Sequence, residues 1–77
     1  MPTEIEEFIL KEKKISLIEL LVMTKLLPSK TEARRKIAEG AVYIDEVRQT
    51  DSNSIIIIDE PIILKVGKRK FLKIIPG

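Results

Sequence analysis

The stretch from Ser29 to Gly40 constrains this chain most, because its residues mark both ends of a short helix. Ser29, followed three residues later by Glu32, forms a capping box in which the hydroxyl accepts a first-turn amide and the carboxylate reaches back. Gly40 supplies the left-handed residue with which many helices end. The sequence therefore predicts one helix between these two residues, with a defined start and a defined end.

The predicted helix has a wide basic face and a narrow apolar one. Ala33 and Ile37 form the edge that we expect to be buried. Lys36 points elsewhere, and solvation is its simplest interpretation. A basic arc spans about 140° of the helix circumference, and its members are Lys30, Thr31, Arg34 and Arg35. Such an arc suits an anionic partner, although a merely solvated helix face is the plain alternative.

The segment before this helix has the pattern of a core helix. Ser16 and Glu19 form a second capping box, and apolar residues then cover most of the circumference as far as Leu27. A helix that is apolar on nearly every side is buried. Pro28 stops this helix and Ser29 immediately starts the next, so we expect a sharp turn that holds the basic helix against the core helix.

After Gly40 the pattern changes to short β-strands separated by turns. Asp45-Glu46 is a candidate for a tight turn between two of them. The run of four isoleucines from Ile55 to Ile58 is interpreted as a strand covered on both faces. The strands are predicted at 41–44, 47–49, 55–58, 62–66 and 71–75.

The last two predicted strands form a hairpin with a basic tip. Gly67 gives the turn its backbone freedom, and Lys68, Arg69 and Lys70 follow it directly. Together with the helices, the strands predict an α+β domain in which two short helices pack on a small, mostly antiparallel sheet.

The net charge of +2 hides a strong separation of charge along the chain. Residues 29–40 carry a net +2 and residues 61–77 carry +5, whereas residues 41–60 carry −4. The positive charge is therefore concentrated on the capped helix and the C-terminal hairpin. This is how a basic patch arises in a nearly neutral domain.

Composition excludes most catalytic chemistry. The chain has no cysteine and no histidine, which removes disulfides, thiolate chemistry, imidazole bases and the usual zinc sites. The carboxylates of the predicted turns have no partner base, so we expect no catalytic residue, no metal and no cofactor in this chain. No apolar run approaches the roughly 20 residues of a membrane span, and no membrane partner is expected.

Recognition of an anion remains as the predicted function. Guanidinium and ammonium groups on a fixed helix suit phosphate oxygens, and the first turn adds free amides and the positive end of a dipole. Aromatic residues make up only 4% of the chain, so binding by base stacking is disfavoured. We expect contacts to the backbone and shape of structured RNA instead. Tyr43 could supply one such contact, with packing in the core as an equal alternative.

Two segments of this sequence resemble a known family. The run from Ser29 to Arg35, followed by Gly40-Ala41-Val42-Tyr43-Ile44, resembles the signature of the S-four RNA-binding domain. The tail Leu64-Lys65-Val66-Gly67-Lys68-Arg69-Lys70-Phe71 makes the combination similar to the C-terminal domain of bacterial-type tyrosyl-tRNA synthetases. The likeness covers about residues 15–75.

The resemblance implies a cytoplasmic enzyme whose catalytic domain is absent from this chain. In that family the domain binds tRNA(Tyr) near its anticodon stem and long variable arm, and it takes no part in catalysis. Carried over by position, the RNA surface would include Ser29, Lys30, Arg34 and Arg35, flanked by Lys68, Arg69 and Lys70. The parent protein would be a tyrosine–tRNA ligase, for which a homodimer is one option.

The resemblance also suggests how the chain is divided. Residues 15–77 would form the single RNA-binding domain, and residues 1–14 an N-terminal arm or linker from a missing upstream domain. We expect the arm to be extended or frayed and to dock through Phe8-Ile9-Leu10.

Two other functions stay open on the sequence alone. One is a free-standing RNA-binding protein, or a module of another enzyme, that acts on ribosomal RNA with the same fold. The other is a protein-interaction module whose basic face is only solvated. A catalytic domain upstream in the same protein would favour the ligase over the ribosomal-RNA-binding protein. Negligible affinity for RNA would indicate the protein-interaction module.

Overall fold

The computed structural model describes residues 5–77, and within this range the chain forms two helices and seven strands. The helices are α1 (Leu17–Met23) and α2 (Lys30–Ala38). The strands are β1 (Glu6–Leu10), β2 (Lys14–Ser16), β3 (Val42–Ile44), β4 (Val47–Gln49), β5 (Ile55–Ile57), β6 (Ile62–Val66) and β7 (Lys70–Pro76). The α+β class predicted from the sequence is confirmed.

The strands form two sheets. Five of them form one sheet in the order β1-β7-β6-β3-β4, and β2 pairs with β5 in a separate antiparallel pair. Only the β1–β7 pair is parallel, since the other three pairs of the larger sheet are antiparallel. The prediction of a mostly antiparallel sheet is therefore also confirmed.

The core lies between the larger sheet and the two helices. Successive strand residues point to opposite faces, so each strand contributes alternate side chains to the core. The sheet contributes Val42, Ile62, Leu64, Val66, Leu72 and Ile74, all buried. The helices contribute Leu17, Ile18, Leu20, Leu21, Ala33 and Ile37.

Helix α2 has both of the predicted ends. The Oγ of Ser29 accepts a hydrogen bond from the Glu32 amide at 3.3 Å. At the other end Gly40 has φ of 72°, and its amide donates to the Ile37 carbonyl at 3.0 Å. The next amide, of Ala41, donates to the Lys36 carbonyl at 3.0 Å, which completes a Schellman motif.

Helix α1 begins where the sequence predicted but ends earlier. Ser16 accepts from the Glu19 amide at 3.2 Å. The helix stops at Met23 because the Thr24 hydroxyl donates to the Leu20 carbonyl at 2.7 Å and Lys25 takes a left-handed backbone with φ of 63°.

The expected continuation of α1 to Pro28, with a one- or two-residue turn, was therefore wrong. Leu27 is still buried in the core, although it lies in the connection and not in the helix. Its amide donates to the Leu21 carbonyl at 3.2 Å. An apolar connection that packs on the core imitates helical periodicity, and this explains the error.

Strand β5 is not covered on both faces, contrary to the sequence-based prediction. Its partner is the short strand β2, so it lies outside the larger sheet. Ile55 and Ile57 are exposed, whereas Ile58, just after the strand, is fully buried. A run of four isoleucines cannot show that a two-stranded sheet leaves one face in solvent.

The tight turn at Asp45-Glu46 is confirmed. Both residues have positive φ, at 49° and 69°, as a two-residue hairpin loop between β3 and β4 requires. Asp45 also ties this turn to β6. Its amide donates to the Ile63 carbonyl at 2.9 Å, and its Oδ1 accepts from the Ile63 amide at 2.9 Å.

The N-terminal segment is extended, as expected, and it forms the edge strand β1. Phe8 packs against the core and Leu10 is buried, but Ile9 is exposed on the other side of the strand. Residues 1–4 of the predicted arm lie outside the described residues. The interpretation of residues 1–14 as an arm or linker from an upstream domain stays a prediction.

Two neighbouring isoleucines test the corrected position of β5. Ile58→Val removes a methylene group from a fully buried side chain and should lower the free energy of unfolding by about 0.5–1.5 kcal/mol. Ile57→Val makes the same chemical change on a side chain that is 64% exposed, and should cost less than about 0.5 kcal/mol. Urea denaturation of both variants measures the difference, and equal costs would contradict the corrected position.

Candidate nucleic-acid interface

Helix α2 displays its basic arc to solvent as predicted. Ala33 and Ile37 are buried, so they fix the rotation of the helix on the core. The side chains of the basic arc point away from the core and are all exposed. They are Lys30, Thr31, Arg34 and Arg35.

The tip of the β6–β7 hairpin lies next to α2 and encloses an open groove with it. The groove has a volume of about 350 Å³. Apolar atoms of Leu27 and Val66 form part of its wall, and the rest is strongly basic. The other lining residues are Lys36, Gly67, Lys68, Arg69 and Lys70.

Three contacts hold the hairpin tip in place. Gly67 has φ of 68°, and its amide donates to the Ala41 carbonyl at 2.8 Å, immediately after the glycine that ends α2. Val42 pairs with Val66 in the β3–β6 ladder. The Lys70 ammonium donates to the Leu26 carbonyl at 3.3 Å, which connects the tip to the α1–α2 connection.

The cations of α2 differ in how far they are already engaged. Arg35 lies 3.7 Å from a Glu32 oxygen and 3.4 Å from a Glu39 oxygen, and the Lys36 Nζ lies 3.6 Å from the other Glu39 oxygen. These are solvent-exposed pairs within one helix, so each contributes little to stability. Glu39 therefore competes with an incoming anion for two cations.

Four other cations carry no carboxylate ion pair within residues 5–77. They are Lys30 and Arg34 on the helix and Lys68 and Arg69 on the hairpin tip. All four are exposed. Both α2 and the hairpin tip therefore offer donors that need not first leave a protein carboxylate to bind an anion.

Ser29 and Thr31 hold different positions at the start of α2. The Ser29 Oγ caps the helix, and its own hydroxyl proton remains available to an acceptor in solution. Thr31 is exposed in the first turn. Both lie at the positive end of the helix dipole. Their contact with RNA stays a prediction, as does that of the predicted cations.

Tyr43 does not join the groove. It is half-buried on the face of the larger sheet that points away from the core. Its ring lies 5.2 Å from the Lys65 ammonium and 5.7 Å from the Arg48 guanidinium. The alternative of packing in the hydrophobic core was therefore wrong, and the possible RNA contact of Tyr43 stays a prediction.

Lys36 is the residue that sequence reasoning missed. It was interpreted as solvated because it falls outside the basic arc, but it is half-buried and lines the groove opposite the hairpin tip. A helical projection places Lys36 correctly around the axis. It cannot show that a hairpin from 30 residues later in the chain lies against that side.

Two features of residues 5–77 bear on other functions. Neither helix is long and apolar enough to cross a bilayer. No group of three metal-ligating side chains comes together within the described part of the chain.

Comparison with known proteins gives one consistent family. Residues 1–74 match the model of the tyrosine–tRNA ligase SYY-like C-terminal domain. The chain belongs to this family. A solution structure of a tyrosyl-tRNA synthetase C-terminal domain superposes with a TM-score of 0.76 at 28% identity, over 95% of this chain and 79% of the other. The S-four-like resemblance read from the sequence is therefore confirmed at the level of the tyrosyl-tRNA synthetase domain.

The family's full-length members are much longer than this chain. The tyrosine–tRNA ligase of Chlorobium luteolum is 49% identical over 74 residues, which are 95% of this chain but 18% of that protein. The ligase of Moorella thermoacetica is 40% identical over 74 residues, 96% and 18% of the two chains. The ligase of Borrelia duttonii is 46% identical over 68 residues, 83% and 17%. The chain thus spans under a fifth of these relatives.

The competition by Glu39 gives a gain-of-binding prediction. Glu39→Gln removes the carboxylate shared by Arg35 and Lys36, so Lys36 should become available to a polyanion and Arg35 should keep only its contact with Glu32. We expect later elution from a heparin column in a salt gradient than for the unmodified chain. Glu12→Gln changes the net charge equally at an exposed position before β2 and should shift elution less. Equal shifts would show that net charge, not the groove, controls binding.

Proposed function

We propose that this domain binds tRNA, and specifically tRNA(Tyr), as the C-terminal RNA-binding part of a tyrosine–tRNA ligase. The single observation that carries the proposal is one open groove in which Lys36 of α2 lies opposite Lys68 and Arg69 of the hairpin tip, the latter two without a carboxylate ion pair among residues 5–77. Membership of a tyrosine–tRNA ligase domain family supplies the class of RNA. The chemistry of the site supplies the mode of contact.

The groove suits an RNA backbone better than a base. Its charged side chains are lysines and one arginine, which bind phosphate oxygens by charge and by hydrogen bonds. Its apolar wall consists of aliphatic Leu27 and Val66, so within the lining residues no aromatic ring offers a stacking surface. Contacts to phosphates position a protein on RNA without reading its sequence.

Selection of one tRNA must then come from shape. Two rigidly connected elements, α2 and the hairpin tip, present their cations in a fixed relation, because Gly67 bonds directly to Ala41. Only an RNA whose phosphates follow the same spacing can satisfy both sets at once. A tRNA with a distinctive fold satisfies this condition more easily than a uniform duplex.

The wider context of the domain belongs to the same proposal. The catalytic activity resides in a parent protein, and this domain contributes no reacting group; its partner within that protein is the catalytic domain. A cytoplasmic location and a homodimeric parent complete the proposal and follow from the family resemblance.

A charge-removal variant tests the role of the groove. Lys68→Gln with Arg69→Gln removes two unpaired cations of the tip, and should weaken binding to tRNA roughly tenfold at moderate salt. The slope of log affinity against log salt should fall in magnitude by about two, one for each lost phosphate contact. Fluorescence anisotropy with labelled bulk tRNA, repeated from low to high salt, measures both quantities.

Lys13→Gln with Lys14→Gln is the matched control, because it removes two exposed lysines near β2, outside the residues that line the groove. It should retain nearly the full affinity and slope. An equal loss in the two double variants would refute a role for the groove.

Identification of the RNA needs a selection experiment. The immobilised chain is incubated with total cellular RNA, and the retained molecules are sequenced. Enrichment of tRNA(Tyr) over other tRNAs is the expected result. Retention of ribosomal RNA fragments instead would favour an RNA-binding module of another kind, and retention of no RNA would favour a protein-interaction module.

A further inference from the structure

A row of alternating cationic and aromatic side chains crosses the outer face of the larger sheet. The strand registers place its members side by side, since Arg48 of β4 is opposite Tyr43 of β3 and Tyr43 is opposite Lys65 of β6. Lys65 is in turn opposite Phe71 of β7. We call these four residues the outer row. They lie on the face of the sheet away from α1 and α2, because their strand neighbours Val42, Leu64 and Val66 enter the core.

The side chains of the outer row contact one another. The Lys65 ammonium lies between two rings, 5.2 Å from the centre of Tyr43 and 5.4 Å from the centre of Phe71. The Arg48 guanidinium lies 5.7 Å from the Tyr43 ring, and its Nη2 donates to the Tyr43 hydroxyl at 3.3 Å. The rings therefore hold both cations in defined positions.

The two cations of the outer row keep their charge uncompensated. Within residues 5–77, neither Arg48 nor Lys65 takes part in a carboxylate ion pair. Lys73 on the same face differs, since its ammonium lies 4.0 Å from a Glu7 oxygen. A lysine has three N–H donors and an arginine five, more than one ring or hydroxyl can accept, so both cations can still donate to an anion.

The outer row is continuous with the candidate interface. Lys65 stands two residues before Gly67 on β6, and Phe71 directly follows Lys70 on β7. At the other end, the Arg48 Cδ lies 3.2 Å from the position that a Cβ on Gly40 would occupy. The row thus meets both the hairpin tip and the C-terminal end of α2.

We propose that the outer row is a second RNA-contact surface, which binds backbone phosphates through Arg48 and Lys65. This inference rests on the proposed function and adds a second face to it. Arg48 and Lys65 both lie beside the Tyr43 ring, which leaves it less available for stacking on a base. The groups that the row offers to a ligand are therefore hydrogen-bond donors. The rings act as supports that fix the cations. An RNA that reaches both surfaces folds around the hairpin tip.

A charge-removing double variant tests the inference, with a charge-conserving double variant as its control. Arg48→Gln with Lys65→Gln should weaken binding of labelled bulk tRNA roughly five- to thirtyfold, as for two screened contacts. The salt slope should fall in magnitude by about two. Arg48→Lys with Lys65→Arg conserves both charges and should recover most of the affinity. Circular dichroism during thermal unfolding checks that each variant is folded.

Hydroxyl-radical footprinting separates the two surfaces. In the Arg48→Gln, Lys65→Gln variant, protection should be lost at a set of nucleotides different from the set lost with Lys68→Gln, Arg69→Gln. If the outer-row variant binds with the affinity, slope and footprint of the Lys13→Gln, Lys14→Gln control while the tip variant is weakened, the outer row is not an RNA surface and the proposed function stands. If the unmodified chain binds no tRNA, both proposals fail together.

Tyr43 tests the supporting role of the rings. Tyr43→Phe keeps the ring and removes the hydroxyl that accepts from Arg48, so the loss should be less than about threefold. Tyr43→Leu removes the support from both cations and should approach the effect of the charge-removing variant. Full affinity in a folded Tyr43→Leu protein would contradict positioning by the ring.

Discussion

The pairing of β3 with β6 is the constraint on which the rest of the structure depends. It joins Val42 to Val66, and one residue further along, the Gly67 amide bonds to the Ala41 carbonyl at 2.8 Å. Three residues separate the end of helix α2 from β3, and the basic hairpin tip begins immediately after β6. One ladder therefore brings together two cationic segments that are distant in sequence. Without it, each segment would be a separate charged element on a solvated surface.

The ends of α2 make that juxtaposition rigid. The Ser29 cap fixes where the helix starts, and the Schellman motif at Gly40 fixes the direction in which the chain enters β3. Ala33 and Ile37 fix the rotation of the helix by burial. The position of each exposed cation on α2 then follows from helix geometry. Preorganisation of this kind reduces the entropy that binding would otherwise cost.

The cations differ in availability, and this difference gives the interface its chemistry. Lys30, Arg34, Lys68 and Arg69 carry no carboxylate ion pair among residues 5–77, whereas Arg35 and Lys36 share Glu39. Lys70 is engaged with the carbonyl of Leu26. On the outer face of the sheet, Arg48 and Lys65 are held by aromatic rings and not by carboxylates. The domain thus keeps these cations in place with few opposing charges.

Local signals in the sequence were sufficient to predict α2, the β3–β4 turn and the basic hairpin. Each depends on residues close together in the chain, such as Ser29 with Glu32 or the tip that follows Gly67. Long-range packing decides the features that were missed. Lys36 lines the groove only because the hairpin docks beside it, and α1 ends at Met23 because Lys25 adopts a left-handed backbone without being glycine.

The outer row could not be predicted from the sequence for the same reason. Strand register, not sequence spacing, places Arg48 and Lys65 on either side of Tyr43. Alternation along β3 and β6 could have indicated that these side chains face away from the core. It could not have indicated which of them are neighbours.

We propose that α2 and the hairpin tip together form one RNA-binding surface. The most direct test is a titration of the ¹⁵N-labelled chain with tRNA(Tyr), followed by amide chemical-shift changes in NMR spectra. We expect the largest changes to occur together at residues 29–36 and 66–70, with little change at the exposed strand β5. Changes centred on Ile55–Ile57, or changes in one of the two segments without the other, would contradict it.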